Sequence, residues 1–183
     1  MTVKEVLKTA ATELGILEEV ADTLEGTSTA ENGAVENMLN CFNLVENELA
    51  LDYLPLIVEE ELETETGAVL YSELSRSAVR ILKVTDVWGN ETQFKLFPDY
   101  LKTQAGRIKI RYSYTPEKKN LDDSSDFLLH ASVRMLAYGV AAEYSLACGR
   151  FEDAAVWDKK YKDSIAAAYR RKPTRKIQSR RWV

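Results

Sequence analysis

Catalysis and metal binding most often recruit histidine in company with other polar groups, and this chain has one histidine, His130. A metal cluster or a Cys–His dyad would have to be built around that single imidazole, and neither Cys41 nor Cys148 stands at ligand spacing to it. His130 therefore reads as a residue in the first turn of a helix that packs or faces solvent. The two cysteines, far apart and each within a helix-like apolar pattern, read as buried free thiols. Carboxylates are plentiful: Glu59, Glu60, Glu61, Glu63 and Glu65 form an acidic run, and Asp122 and Asp123 a pair. Such groups can bind a divalent ion or relay a proton, yet a charge run is usually a solvated face. No phosphate-cradling glycine pattern and no nucleophile elbow occurs, because the eight glycines stand singly at apparent element boundaries. Trp157 and Tyr161, one helical turn apart, read as core. The expectation is a protein without catalytic residues, cofactor or metal.

Charge is distributed unevenly. The formal net charge of −5 divides into +7 on Arg170–Val183, which has no Asp or Glu, and −12 on the rest. This basic segment contains Pro173, which stops a helix, and carries Ile177 and Trp182 among Arg175, Lys176, Arg180 and Arg181. Three readings stand open: an idle terminus, a grip on nucleic-acid phosphates, or an assembly arm that lays its apolar residues on a neighbouring protein. No stretch reaches the roughly 18 apolar residues of a membrane helix, and Met1–Glu5 lacks the apolar core of a signal peptide. Synthesis in the cytoplasm, with no membrane partner, is expected.

The elements that must position these residues follow from periodicity. Residues 2–25 predict two short helices broken at Gly15. Residues 31–50 predict an amphipathic helix with Val35, Leu39, Phe42, Leu44, Val45 and Leu49 on its apolar stripe and Glu36, Asn40, Asn43 and Glu46 mostly on the other side. Pro55 ends it. Leu56–Val58 reads as strand, with the acidic run after it as an exposed face. Val79–Val84 and Gln93–Phe97 flank a turn at Asp86–Asn90 and read as strand, turn, strand. Arg107–Tyr114 alternates strictly, placing Ile108, Ile110, Tyr112 and Tyr114 on one face and Arg107, Lys109, Arg111 and Ser113 on the other. Asp122–Asp126 supplies candidate helix caps, a helix carries Leu129, Val133, Leu136, Val140 and Tyr144, and Gly149 ends it. A partner helix carries Phe151, Ala154, Trp157, Tyr161, Ile165 and Ala168. The fold class predicted is α+β, mainly a helical bundle (helices in 2–50, hairpin 125–171) with one inserted small antiparallel β unit at about 54–115. A single domain, 1–171, is followed by an extended arm, 172–183.

This layout resembles the head-to-tail adaptors of tailed bacteriophages, also called head completion or head-tail connector proteins. The likeness rests on the paired N-terminal helices, the Ile-x-Ile-x-Tyr-x-Tyr-x-Pro strand from Ile108 to Pro116, the Asp/Ser-rich stretch before a helix, Gly149-Arg150-Phe151-Glu152, the helix with Trp157 and Tyr161, and the basic tail. It covers nearly the whole chain as a likeness of layout, without an invariant motif. It implies a structural virion protein at the neck between head and tail, forming a dodecameric ring of its own copies. Its partners would be the portal protein, the next tail or neck protein and, transiently, the DNA passing through the channel. It also implies that residues Arg175, Lys176, Ile177, Arg180, Arg181 and Trp182 dock on the portal. Glu59, Glu60, Glu61, Glu63 and Glu65 are candidates for facing the channel, where carboxylates let DNA slide. The β insertion departs from the purely helical adaptors and looks more like the larger ones of short-tailed phages. The alternative is a nucleic-acid-binding or DNA-packaging accessory protein whose arm grips phosphates.

Overall fold

Thr2 starts the first helix by a reciprocal cap: its hydroxyl accepts from the Glu5 amide, and the Glu5 carboxylate accepts from the Thr2 amide at 2.8 Å. The computed structural model describes residues 1–27, 32–128 and 131–170, with Tyr169 and Arg170 by backbone alone. The helices are α1 (Val3–Leu14), α2 (Leu17–Leu24), α3 (Gly33–Glu48), α4 (Val133–Ala147) and α5 (Phe151–Arg170). The strands are β1 (Leu56–Thr64), β2 (Ala68–Leu70), β3 (Ala78–Asp86), β4 (Lys95–Leu96), β5 (Tyr100–Lys102) and β6 (Gly106–Tyr114). They divide between two compact units, one of Met1–Phe42 with Phe127 onward and one of Asn43–Asp126, and α3 begins in the first and ends in the second.

In the helical unit α1 packs on α4 and α4 on α5. Val3, Val6, Leu7 and Ala10 of α1 recur every three or four residues and are fully buried, as are Leu136, Val140 and Ala141 of α4. Ser132 caps α4, its hydroxyl accepting from the Met135 amide. The Asp122–Asp126 stretch was expected to cap this helix and does not: α4 starts seven residues beyond Asp126, and the stretch serves the β unit instead. His130 and Leu129 lie outside the described residues. At the far end Gly149 takes φ +73°, its amide donates to Leu146 and the Arg150 amide donates to Ser145, closing α4 with a Schellman turn. Tyr161 and Ile165 of α5 are buried, but Phe151, expected on the packed stripe, is 69% exposed. Cys41 is buried; Cys148, expected buried, lies exposed at the C-cap of α4, and both are free.

The predicted fold class needs correction. The described residues hold five helices and two three-stranded antiparallel sheets, an α+β mixture rather than a mainly helical bundle with one small β unit. One sheet has the order β1-β6-β3, the other β2-β5-β4. Strands β3 and β4, expected to pair across the Asp86–Asn90 turn, fall in different sheets. The turn is closed locally instead, by the bridge between Thr85 and Glu91 and by the Asp86 amide donating to the Asn90 carbonyl at 2.9 Å. The alternation of β6 explains the choice: Ile108, Ile110 and Tyr112 are fully buried, so β6 is apolar enough on one face to serve as the central strand for both β1 and β3. These residues share one cluster with Ile81 and Val84 of β3, Val69 of β2 and Leu101 of β5, so both sheets contribute to one apolar core. Gly67 lets the β1–β2 turn close: its φ is +73°, its carbonyl accepts from the Thr103 amide at 2.7 Å, and a Cβ there would lie 2.3 Å from the Thr103 carbonyl. Leu44 of α3, expected on its apolar stripe, is 59% exposed. Helix α3 continues as a π-helical turn, Leu49–Tyr53, before Pro55 releases the chain into β1.

Candidate functional site

The acidic run lies mostly on β1, and the period of a strand divides it. Glu59, Glu61 and Glu63 point to the exposed face, Glu60 to the opposite, half-buried side, and Glu65 lies in the turn after the strand. On the exposed face each carboxylate meets a cation of β6 in register: Glu59 opposite Arg111, Glu61 opposite Lys109, Glu63 opposite Arg107. Glu61 forms ion pairs with Arg107 and, at 4.0 Å, with Lys109. Lys83 of β3 pairs with Glu91 at 2.9 Å. Between β1 and β6 the outer surface is therefore a ladder of opposite charges, not a strip of bare carboxylate, while Lys83 of β3 stands opposite Arg111 on the other side of β6.

Glu60 works inward. It accepts hydrogen bonds from the Ser75 amide (3.1 Å), the Ser75 hydroxyl and the Tyr112 hydroxyl. Tyr112 in turn accepts from the Arg76 amide. Desolvation pushes the Glu60 carboxyl up, but the hydrogen bonds from Ser75 and Tyr112 outweigh it and hold the group below its ordinary range. Burial and the Glu60 hydrogen bond raise the Tyr112 phenol.

A second polar knot forms where α3 meets the Asp/Ser-rich stretch. Glu46, expected on the polar face of α3, is fully buried. One of its oxygens accepts from the Ser125 hydroxyl and, at 3.2 Å, from the Asp126 amide. Asn43 and Lys119 exchange a pair of hydrogen bonds, and the Lys119 ammonium reaches Asp126 at 2.9 Å. Burial raises the Glu46 carboxyl above its ordinary value, outweighing the Ser125 hydrogen bond and the nearby Lys119. Sequence pattern misses this residue because a single glutamate at the edge of an amphipathic stripe carries no mark of burial; the Asp/Ser-rich stretch, read as a cap, is what covers it.

The third feature is the turn after β3. One Asp86 oxygen accepts from the amides of Trp88 (2.9 Å) and Asn90 (2.8 Å), and the other from the Asn90 side chain. The Asn90 hydrogen bond leads the effects that hold Asp86 below its ordinary range. Gly89 takes φ +88°, and the turn so fixed carries Trp88, 83% exposed. A large indole on a braced loop is suited to anchor a partner protein. The turn was legible in the sequence; the exposure of its tryptophan was not.

Among the described residues no group of three or more His, Cys, Asp or Glu is placed to hold a metal ion, and no helix is long and apolar enough to cross a membrane. Asp123 accepts from the Asn120 amide. Of the expected core aromatics, Tyr161 is buried, while Trp157 is half-buried, stacked on Tyr138 at 5.8 Å with the Lys160 ammonium over its ring. The expected docking residues Arg175, Lys176, Ile177, Arg180, Arg181 and Trp182 lie outside the described residues. No protein-family model and no curated protein matches the chain.

Proposed function

We propose that the chain is a structural adaptor: a virion subunit that forms a ring joining the portal to the tail and continuing the DNA channel, docked through residues 172–183. What supports the reading, beside the resemblance of layout, is that each unit carries its own contact element. The helical unit leads through α5 into the cation-rich segment, and the β unit carries Trp88 on a turn braced by Asp86. A protein that joins two partners needs two separate contact elements. The rival reading, a grip on nucleic acid, draws on the arm and on Arg107, Lys109 and Arg111, but a β1 carboxylate faces each of those three cations and weakens their pull on phosphate.

The test uses purified full-length protein, a chain lacking residues 172–183, and Trp88→Ala, each mixed with portal rings and, separately, with duplex DNA. Truncation is expected to abolish association with the portal, seen by sedimentation and negative-stain images, while DNA retention changes less than about threefold. Trp88→Ala is expected to keep the portal contact and leave DNA retention unchanged. DNA binding that collapses on truncation while portal binding survives would overturn the adaptor reading.

A further inference from the structure

The polar knot at the end of α3 is short of both hydrogen-bond donors and positive charge. The Glu46 carboxyl lies against the backbone of Asp126: its Oε1 accepts from the Asp126 amide at 3.2 Å and from the Ser125 hydroxyl. Asp126 spends Oδ1 on the Lys119 ammonium, which donates to it at 2.9 Å. One oxygen of each carboxyl is left, Glu46 Oε2 and Asp126 Oδ2, and both are buried without a donor. A buried acceptor in that condition is costly. The charges do not balance either, since two carboxyls meet one ammonium, and the Lys119 side chain is only 12% exposed. From β6 the knot is faced by the Tyr114 phenol, which burial raises first and Asp126 raises further. The Arg76 guanidinium stands beyond that ring, 5.8 Å from its centroid, and is itself paired with Glu117 at 2.8 Å.

We propose that Glu46 and Asp126 share one proton, carried on Glu46 Oε2 and donated to Asp126 Oδ2, and that this proton is a pH-operated clasp holding the segment from Lys119 to Asp126 on the end of α3. A single proton removes both faults: it gives each orphaned oxygen a hydrogen-bond partner, and it leaves one carboxylate against one ammonium. A water in the same place would supply donors but leave two buried carboxylates facing Lys119 alone. Burial raises the Glu46 carboxyl, with the Asp126 charge pushing the same way, so the acid form sits on Glu46 while Asp126 keeps its ion pair. As pH rises through the folded pKa of Glu46 the proton passes to solvent and the knot gains an unbalanced negative charge. The segment then loosens, and the pair of hydrogen bonds between Asn43 and Lys119 opens with it.

The test follows the carboxyl carbons of Glu46 and Asp126 by NMR in the isotope-labelled full-length chain, from about pH 4 to about pH 9. Glu46 Cδ is expected to titrate above the ordinary carboxylate range, with Asp126 Cγ moving at the same midpoint. Above that midpoint the amides of Ser125 and Asp126 should exchange about tenfold faster than base catalysis alone accounts for. Asp126→Asn keeps an acceptor for Lys119 and offers Glu46 Oε2 an uncharged donor, so it should weaken the affinity of Glu46 for its proton about tenfold. Lys119→Met removes the ammonium and should move the Glu46 midpoint the opposite way, upward. Glu46→Gln donates to Asp126 as the shared proton does, and should abolish both the Asp126 Cγ step and the rise in exchange. Each variant is read separately against the parent chain, so one that fails to fold leaves the others decisive. A Glu46 midpoint in the ordinary range, an Asp126 Cγ that does not move with it, or a midpoint indifferent to Asp126→Asn and to Lys119→Met would each overturn the proposal. No portal or nucleic acid enters the experiment, so its outcome is independent of the adaptor reading.

Discussion

The two units solve the problem of a small core differently. The helical unit relies on long apolar stripes: Val3, Val6, Leu7, Leu136 and Val140 are fully buried. In the β unit the apolar cluster is joined by polar clamps, Glu60 with Ser75 and Tyr112, Glu46 with Ser125 and Asp126, and Asp86 with its own turn. Apolar burial is non-directional and tolerates small shifts. A buried hydrogen bond fixes a geometry and costs more when one partner is lost than it contributes when made. The β unit should therefore be the more sensitive to small chemical changes and to pH, and the helical unit to changes of volume.

The largest effect should come from volume. Leu136→Ala is expected to cost about 2–5 kcal/mol and to speed amide exchange in α1, α4 and α5, seen by denaturant melts and hydrogen exchange. Gly67→Ala should cost about 1–3 kcal/mol, because the added Cβ meets the Thr103 carbonyl and the backbone keeps a positive φ; exchange should rise in β1, β2 and β5. Tyr112→Phe, which removes one hydroxyl and almost no volume, should still cost about 1–2 kcal/mol, since Glu60 loses a donor and the Arg76 amide an acceptor. If that substitution is neutral, the contrast between the units fails.

pH acts on the β unit with two opposite signs. The folded pKa of Glu46 lies above its unfolded value, so its contribution is fully present below about pH 4.5 and is lost as pH rises through the folded pKa. Glu60 and Asp86 are depressed, so their contributions are present above their unfolded values and lost as pH falls through the folded ones. Glu46→Gln keeps a carbonyl for Ser125 and Asp126 and should flatten the decline on the upper side, in thermal melts recorded against pH, while leaving the acid side alone. A decline that persists in this variant would assign it to another group. The smallest effect belongs to the exposed ladder: Glu61→Gln should change stability by less than about 1 kcal/mol, and high salt should erase the difference.

How much of this was legible depends on whether a pattern is local. Helix periodicity gave α1, α2, α4 and α5, and strict alternation gave β6 with its buried face. The glycine past the α4 cap was readable because only a residue at ease with positive φ closes that turn. Pairing was not readable: Val79–Val84 and Gln93–Phe97 look like a hairpin, and only the competing attraction of β6 for β3 separates them. Glu59–Glu65 reads as one acidic feature, yet the strand sends Glu60 inward and the register gives three of the others cationic partners. Neither the register nor the burial of Glu46 is encoded near the residues concerned.

The strand order β1-β6-β3 has a consequence for how the chain is made. The central strand is the last of the three to be synthesised, and Leu56 must wait for Tyr114 to find its partner. Until then β1 and β3 have no ladder to join. High contact order of this kind slows folding and leaves strand edges unprotected on the nascent chain. Like charges along β1 disfavour the pairing of two such edges with each other.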